Sequence, residues 1–323
     1  MNGERSSESE RRTGRLQRYA KFLFKRVSGL YYRDVLRNQQ EILRRQEELA
    51  QRIEGLTPPR PAVYLGDHKV LTRTAYGHSI VLDSRDQSLF PHITLGGVWE
   101  SWVTKVMRDT LSPGMTVVDV GANVGYFTLL ACGSVGQEGR VYAFEPDPET
   151  YRMLFRSVEM NGFRPFCECY QLALSSVRGS ATFYRFSAHF GGNSLWHQGG
   201  STTEFGDEVS EVQIQTVPFD DFAEQAGIAG RRIDVIKIDT EGSEAHVLQG
   251  MRKTLAANPD ITLICEFNAQ HIRTSGCDPD AGIDSLLESG FKLRIIGYDG
   301  SICPISREEL LVHNDAVLYL TRS

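Results

Sequence analysis

Apolar residues near the start of the chain recur in steps of three and four. Leu16, Tyr19, Phe22, Leu23, Val27, Leu30, Tyr31 and Val35 fall on one helical face among many Arg and Lys. Val35, Ile42, Leu49 and Leu56 then repeat every seven residues, with Gln39, Gln46 and Ile53 at the alternate seam positions. The pattern predicts a basic amphipathic helix over 15–56 whose heptads suit a coiled coil, although two seam positions are polar. Residues 1–14 are polar and are expected to be a disordered tail. The prolines of LTPPRP end the helix and make 57–61 a linker. The stretch VYLGDHKVLTRTAYGHSIVLD reads as two or three short strands with turns at Gly66-Asp67 and Tyr76-Gly77-His78. A helix from Trp99 to about Leu111, stopped by Ser112-Pro113-Gly114, completes a lead-in over 62–114.

From 115 to 323 strands and helices alternate. Strands are predicted at Thr116–Val120, Arg140–Phe144, Cys167–Leu172, Asp234–Ile238, Ile261–Glu266, Phe291–Ile296 and Ala316–Leu320. Helices are predicted at Tyr126–Cys132, Pro148–Met160, Ser243–Ala256 and Gly282–Ser289. A hairpin of Ala181–Phe186 and Glu211–Val217 brackets a long polar loop. Such alternation implies an α/β fold, with a mostly parallel sheet and helices on both faces.

Charge and cysteine content narrow the classes. Residues 11–37 carry nine Lys/Arg and one Asp, whereas the formal net charge of the chain is −6, so the body is acidic. An acidic body argues against a nucleic-acid partner. The basic arm can be a solvated helix, pair with another copy to make a homo-oligomer, or lie peripherally on an anionic membrane with Tyr19, Phe22 and Tyr31 buried. Cys132, Cys167, Cys169, Cys265, Cys277 and Cys303 include no CxxC pair. Reduced thiols in a cytoplasmic protein are therefore expected. The polar start is not a secretory signal, and no apolar run approaches the roughly 18 residues of a membrane span.

Two motifs carry chemistry. In VVDVGANVGYF, a β-branched strand runs into a turn with glycines at 121 and 125, and the turn opens a helix. Glu145 follows 24 residues after Gly121, at the end of the next strand in VYAFEPDP. An acidic side chain there can accept both hydroxyls of a ribose. A dehydrogenase would also use a glycine turn and an acidic residue, but GxNxG lacks the third glycine of the dinucleotide fingerprint.

With IDVIKIDTEGSEAHVLQGM (Ile233 to Met251) and LGGVWE (Leu95 to Glu100), these motifs make the sequence resemble the FkbM family of S-adenosylmethionine-dependent methyltransferases over about residues 70–321. The resemblance implies a Rossmann-like seven-stranded methyltransferase sheet, with S-adenosylmethionine as methyl donor. It also implies O-methylation of a hydroxyl on a sugar, glycan or glycosylated natural product. Carried onto this chain, Asp119, Gly121, Ala122, Asn123 and Gly125, with Tyr126 and Phe127, would wrap the methionine part. Glu145 would hold the ribose, with Pro146 and Asp147 beside the adenine and Ala173 and Leu174 near its edge. Glu100 and Asp239 would also reach the cofactor.

Methyl transfer to a hydroxyl needs an aligned oxygen and usually a base or a metal. Lys237, Asp239 and Glu241 alternate along and beyond their strand and are the expected catalytic residues. A lysine inside an apolar strand is costly to bury unpaired, so Lys237 is expected to pair with a carboxylate. Asp239, Glu266 and Asn268 would offer oxygen ligands suited to Mg²⁺, an arrangement similar to that of metal-dependent catechol-type O-methyltransferases. His189, Asn193, Ser194 and Trp196, with Phe190, sit in the polar loop and would form a lid that grips the acceptor, joined by His271. Two other functions compete: N-methylation, disfavoured because Asp239-Thr240-Glu241-Gly242 stands where nucleobase N-methyltransferases carry Asn/Asp-Pro-Pro-aromatic, and a non-catalytic cofactor-binding scaffold organised by the helical arm.

Overall fold

A computed structural model describes residues 61–196, 207–313 and 315–322. The expected tail, basic helix and coiled coil lie outside the described residues, as does all of the linker but Pro61. Residues 60–323 form one compact unit, which joins the lead-in to the strand–helix alternation.

The lead-in opens with β1 (Val63–Gly66), β2 (Lys69–Arg73) and β3 (Ser79–Asp83), an antiparallel sheet. Asp67 and His68, both left-handed, make its first hairpin turn. The sheet is fastened to the body through α4 (Pro148–Met160) and the residue after it. Val81 N–H donates to Ser157 Oγ at 3.0 Å, and Asn161 exchanges two hydrogen bonds with the Ser79 backbone. Two helices follow β3: α1 (Leu89–Leu95) and α2 (Ser101–Thr110). In α2, Val103, Val106 and Met107 are buried at i, i+3 and i+4, one amphipathic stripe.

The body contains β4 (Thr116–Val120), α3 (Tyr126–Val135), β5 (Arg140–Phe144), α4 and β6 (Cys167–Tyr170). Next come β7 (Ala173–Leu174), β8 (Gly179–Phe186), β9 (Val209–Val217), α5 (Phe219–Gln225) and β10 (Val235–Ile238). Then follow α6 (Glu244–Gly250), α7 (Arg252–Ala257), β11 (Thr262–Phe267), α8 (Ala269–Thr274) and α9 (Pro279–Glu288). The chain ends with β12 (Arg294–Ile296), β13 (Ile302–Pro304), α10 (Arg307–Val312) and β14 (Ala316–Leu320). The central sheet has the order β13-β12-β14-β11-β10-β4-β5-β6. Its strands from β11 to β6 are parallel, and β14 is antiparallel between β11 and β12. This is the expected Rossmann-like arrangement, with β13 as one further edge strand.

Alternation explains the two cores. Val118, Val120, Tyr142, Phe144, Ile236 and Ile238 face one apolar cluster, while Val117, Val141, Ala143 and Val235 face the other. Period two with both faces apolar is the signature of a parallel strand covered on both sides. Asp119 and Lys237 fall on the second of these faces and are register partners across β4 and β10. Chain order reverses between β4 and β10, so a crevice opens at their carboxyl ends.

Three differences from the predicted elements have local causes. The third strand ends at Tyr170, and Ala173–Leu174 leave the sheet to pair with β9. The helix expected over Ser243–Ala256 breaks after Gly250. A Cβ on Gly250 would stand 2.0 Å from the Ser175 carbonyl oxygen, so a glycine is required where the helix meets that loop. The short helices α1, α5, α8 and α10 add to the predicted set, because six or seven residues give too few turns for a periodic stripe. Among the described residues no helix is long and apolar enough to cross a membrane.

Candidate active site

A cavity of about 810 Å³ lies along the carboxyl ends of the parallel strands. That is within the size range of small-molecule sites. One end is built by the turn after β4. Gly121, Asn123 and Gly125 all take left-handed conformations, which sharpen the turn. Gly121 and Ala122 donate their backbone N–H groups to the Phe144 carbonyl, tying the turn to β5. Glu145, at the end of β5, accepts from Asn123 N–H through Oε2 and from Asp147 N–H through Oε1, both at 2.9 Å. Burial pushes the Glu145 carboxyl up to about 8, against the pull of those two amides.

The centre of the cavity is charged. Lys237 is buried, with its Nζ 2.6 Å from Asp239 Oδ2 and 4.5 Å above the centroid of the Phe127 ring. Burial works to lower the Lys237 ammonium, yet Asp239, Asp119 and Glu100 together raise it above the ordinary lysine range. The expected pairing of Lys237 is therefore present, and the group is a fixed cation. Asp119, 1% exposed, accepts from Thr128 Oγ at 2.6 Å through Oδ2, while its Oδ1 has no hydrogen-bond partner. Glu100 carries a left-handed backbone just before α2. Burial, then the Asp239 charge, pushes its carboxyl up to about 7 against the opposing pull of Lys237.

Asp239, Glu241 and Glu266 each bring a carboxylate oxygen within 4.8 Å of the others. Burial raises Glu241 and Glu266 well above the ordinary carboxyl range, with Asp239 adding to both. The turn that carries Asp239 and Glu241 is held by Glu244, a residue absent from the set predicted by sequence. Its Oε1 accepts from Thr240 N–H and Thr240 Oγ at 2.9 Å and from Gly242 N–H at 3.2 Å. The acidic first turn of α6 is the signal for it, since a carboxylate there can satisfy free helix N–H groups.

Most residues expected at the cofactor line the cavity: Glu100, Gly121, Ala122, Asn123, Tyr126, Phe127, Glu145, Pro146, Ala173, Leu174 and Asp239. Lys237, Glu241 and Glu266 line it as well. Asp119, Gly125 and Asp147 stand behind its wall. Asp147 caps α4 by accepting from Glu149 and Thr150 N–H, and Arg185 Nε holds it at 2.6 Å.

The expected metal set needs a correction. Asn268 does not join the carboxylates, because its Oδ1 caps α8 by accepting from Gln270 and His271 N–H, and its Nδ2 donates to Asp315. Glu241 stands in its place. His271 lies next to the cluster, its Nδ1 3.7 Å from Glu241 Oε2, and is not part of the cavity wall. Burial lowers its ring below the ordinary histidine range.

The expected lid narrows to Phe190 and Asn193, which line the cavity. His189 is held by Asp207 at 2.5 Å. Ser194 pairs with the Tyr184 backbone and bonds the Trp196 carbonyl. Trp196 stacks on His246 at 5.4 Å and donates its ring N–H to Ser243 Oγ at 3.0 Å, so it braces the Asp239 turn from behind. The loop from 197 to 206 lies outside the described residues.

Comparison with known proteins fits this geometry. The sequence profile described as Methyltransferase FkbM domain matches residues 119–293, more than half of the chain. The 31-O-demethyl-FK506 methyltransferase FkbM of Streptomyces tacrolimicus is 32% identical over 164 residues, covering 44% of this chain and 61% of that protein. The 2-O-methyltransferase NoeI of Sinorhizobium fredii (strain NBRC 101917 / NGR234) is 27% identical over 164 residues, covering 47% and 65%. Methyltransferase sdnD of Sordaria araneosa is 30% identical over 156 residues, covering 42% and 60%. Each match spans less than two thirds of the relative's own length.

Proposed function

This chain belongs to the FkbM family of methyltransferases, and on that premise we propose that it transfers the methyl group of S-adenosylmethionine to a hydroxyl of a sugar, free or within a glycan. The observation that carries the reading is the position of Asp239 in the same cavity as Glu145, with one carboxylate oxygen held by Lys237. Relatives named as 2-O- and 31-O-demethyl methyltransferases support the oxygen direction.

The residues fit the donor. Each Glu145 oxygen accepts one backbone amide and retains a lone pair, so the carboxylate can take the two hydroxyls of a ribose. Asp239 lines the same cavity and offers negative charge to a cation, and Glu100 beside it adds to that charge as pH rises above about 7. When bound, S-adenosylmethionine supplies a methyl group on a positively charged sulfur, open to in-line displacement. Asp239 accepts the proton of the acceptor hydroxyl. Lys237 cannot be that base, because it is a buried ammonium; it orients Asp239 instead. Phe127 and Tyr126 close the wall behind the pair and limit water at the reacting centre.

Glu145 makes donor binding depend on pH. Its protonated form loses acceptor capacity toward the ribose, so S-adenosylmethionine affinity falls as pH drops below about 8. Isothermal titration between pH 6 and 9 should show up to roughly tenfold per unit in the wild type. The dependence should flatten in Glu145→Gln. The ligand-free protein should show the opposite trend in stability. Between the ordinary value of 4.5 and about 8 its folded state holds a proton that the unfolded chain has released. That stability contribution is full below 4.5 and is lost as pH rises through about 8.

A divalent cation on Asp239, Glu241 and Glu266 is a second reading of the carboxylate cluster, favoured by oxygens within 4.8 Å of one another. Bound there, it would polarise an acceptor oxygen. On this reading a strong chelator abolishes turnover and Mg²⁺ restores it; full turnover of metal-stripped enzyme excludes the ion.

Transfer of labelled methyl from S-adenosylmethionine to a carbohydrate panel tests the main function. The product is expected to be an alkali-stable ether. Label found only in alkali-labile esters or on amino groups would sink the proposal.

A further inference from the structure

We propose that Trp102 and Tyr298 form a subsite for the sugar ring adjoining the one that is methylated, so that the acceptor is at least a disaccharide. The inference rests on the sugar O-methyltransferase reading above.

The cavity is longer than donor and reacting carboxylates require. Glu145 ends β5, two strands from β10, whereas Ile296–Tyr298 follow β12, three strands from β10 on the opposite side. Strands are spaced about 4.8 Å apart, so the β12 end lies roughly 14 Å from Asp239. A six-membered ring built from bonds of about 1.5 Å spans about 5 Å with its hydroxyls. Asp239 and Tyr298 line one cavity whose span along the strand ends is longer than one ring. Because β12 runs parallel to β11, its carboxyl end opens onto the same edge as the carboxylates.

The chemistry of that end suits a sugar. Tyr298 is 79% exposed at the cavity mouth, and its ring meets Trp102 edge to face at 4.8 Å. Trp102 is half-buried against the core and braces Tyr298, whose exposed ring offers an apolar face to the C–H face of a pyranose. Glu241, Glu266 and Asp315 line the same region and accept hydroxyl hydrogens. A purely apolar acceptor would leave these polar groups without hydrogen-bond partners, which is costly.

The platform is also preformed. Lys105 Nζ in α2 donates to the Asp299 carbonyl at 3.3 Å, and Gly297 N–H donates to the Ser301 carbonyl at 2.8 Å, which closes the turn that carries Tyr298. Little order must be gained on binding.

The test compares wild type with Tyr298→Ala and Trp102→Phe. The probes are glucose, galactose and N-acetylglucosamine, together with cellobiose, maltose, lactose and their trisaccharides, with labelled S-adenosylmethionine. Tyr298 is too exposed for its truncation to disturb folding. The expected result is methylation of the larger sugars with a lower KM than the monosaccharides, and a ratio that shrinks roughly five- to tenfold in Tyr298→Ala. The affinity for S-adenosylmethionine should not change. If wild type methylates carbohydrates but that ratio is the same in the variants, the subsite is wrong and the function stands. If wild type methylates a hydroxylated polyketide and no carbohydrate, the functional reading falls and takes the subsite with it.

Discussion

Asp239→Asn lowers kcat by two to four orders of magnitude, while S-adenosylmethionine still binds within about tenfold of wild type; this is the size expected when a positioned general base is lost. The asparagine keeps the shape of the side chain and still accepts from Lys237, whose ammonium keeps the favourable charge of Asp119 nearby. The variant therefore tests proton removal more than folding. Circular dichroism and a donor-binding titration establish that the protein is intact, and single-turnover methyl transfer then isolates the chemical step. Turnover within threefold of wild type would remove Asp239 from the reaction. Lys237→Met should behave differently. It leaves the buried Asp119 and the half-buried Asp239 without the cation whose charge both sense, so instability accompanies the loss of activity.

The second large effect is expected at Gly121. A Cβ there would stand 1.8 Å from the Asp239 carbonyl oxygen, and the residue has a φ of +77°. Backbone cannot yield as a flexible side chain does, so Gly121→Ala must separate the ends of β4 and β10, which carry Asp119 and Lys237 and lead into Asp239. A loss of about 3 kcal/mol or more follows, roughly 10 °C in melting temperature for a unit of this size, with activity lost as well. Gly162→Ala is the control. It also has a left-handed backbone, at φ +71°, but nothing lies within 4 Å of the added methyl. It should cost only the backbone strain, about 1 kcal/mol. If the two variants melt together, the contact with Asp239 is not what requires glycine at 121.

The donor half of the cavity is largely legible in the sequence. β4, β5 and α4 match their predicted bounds, because each combines strong periodicity with a sharp stop such as Gly121 or Asp147-Pro148. Glu145 and Asn123 are marked by their spacing along the chain, and their contact at 2.9 Å is local to one β-α-β unit. Departures cluster where side chains choose between equivalent partners. Asn268 offers the same amide oxygen to a metal or to the N–H groups of α8, and the nearby helix end takes it. Trp196 could stack on a sugar or on His246, and with its ring N–H held by Ser243 it lies on His246.

By itself, the sequence determined the α/β alternation, the two-faced apolar strands, the glycine turn and the acidic residue beyond it. These are properties of periodicity and short spacing, which operate over a few tens of residues. Only the tertiary structure decided that Glu241 joins Asp239 and Glu266, that Glu244 holds their turn, and that Trp102 meets Tyr298 from a distant part of the chain. Those groupings depend on strand order. The antiparallel insertion of β14 between β11 and β12 brings the last part of the chain back beside α2, and no local pattern encodes that crossing.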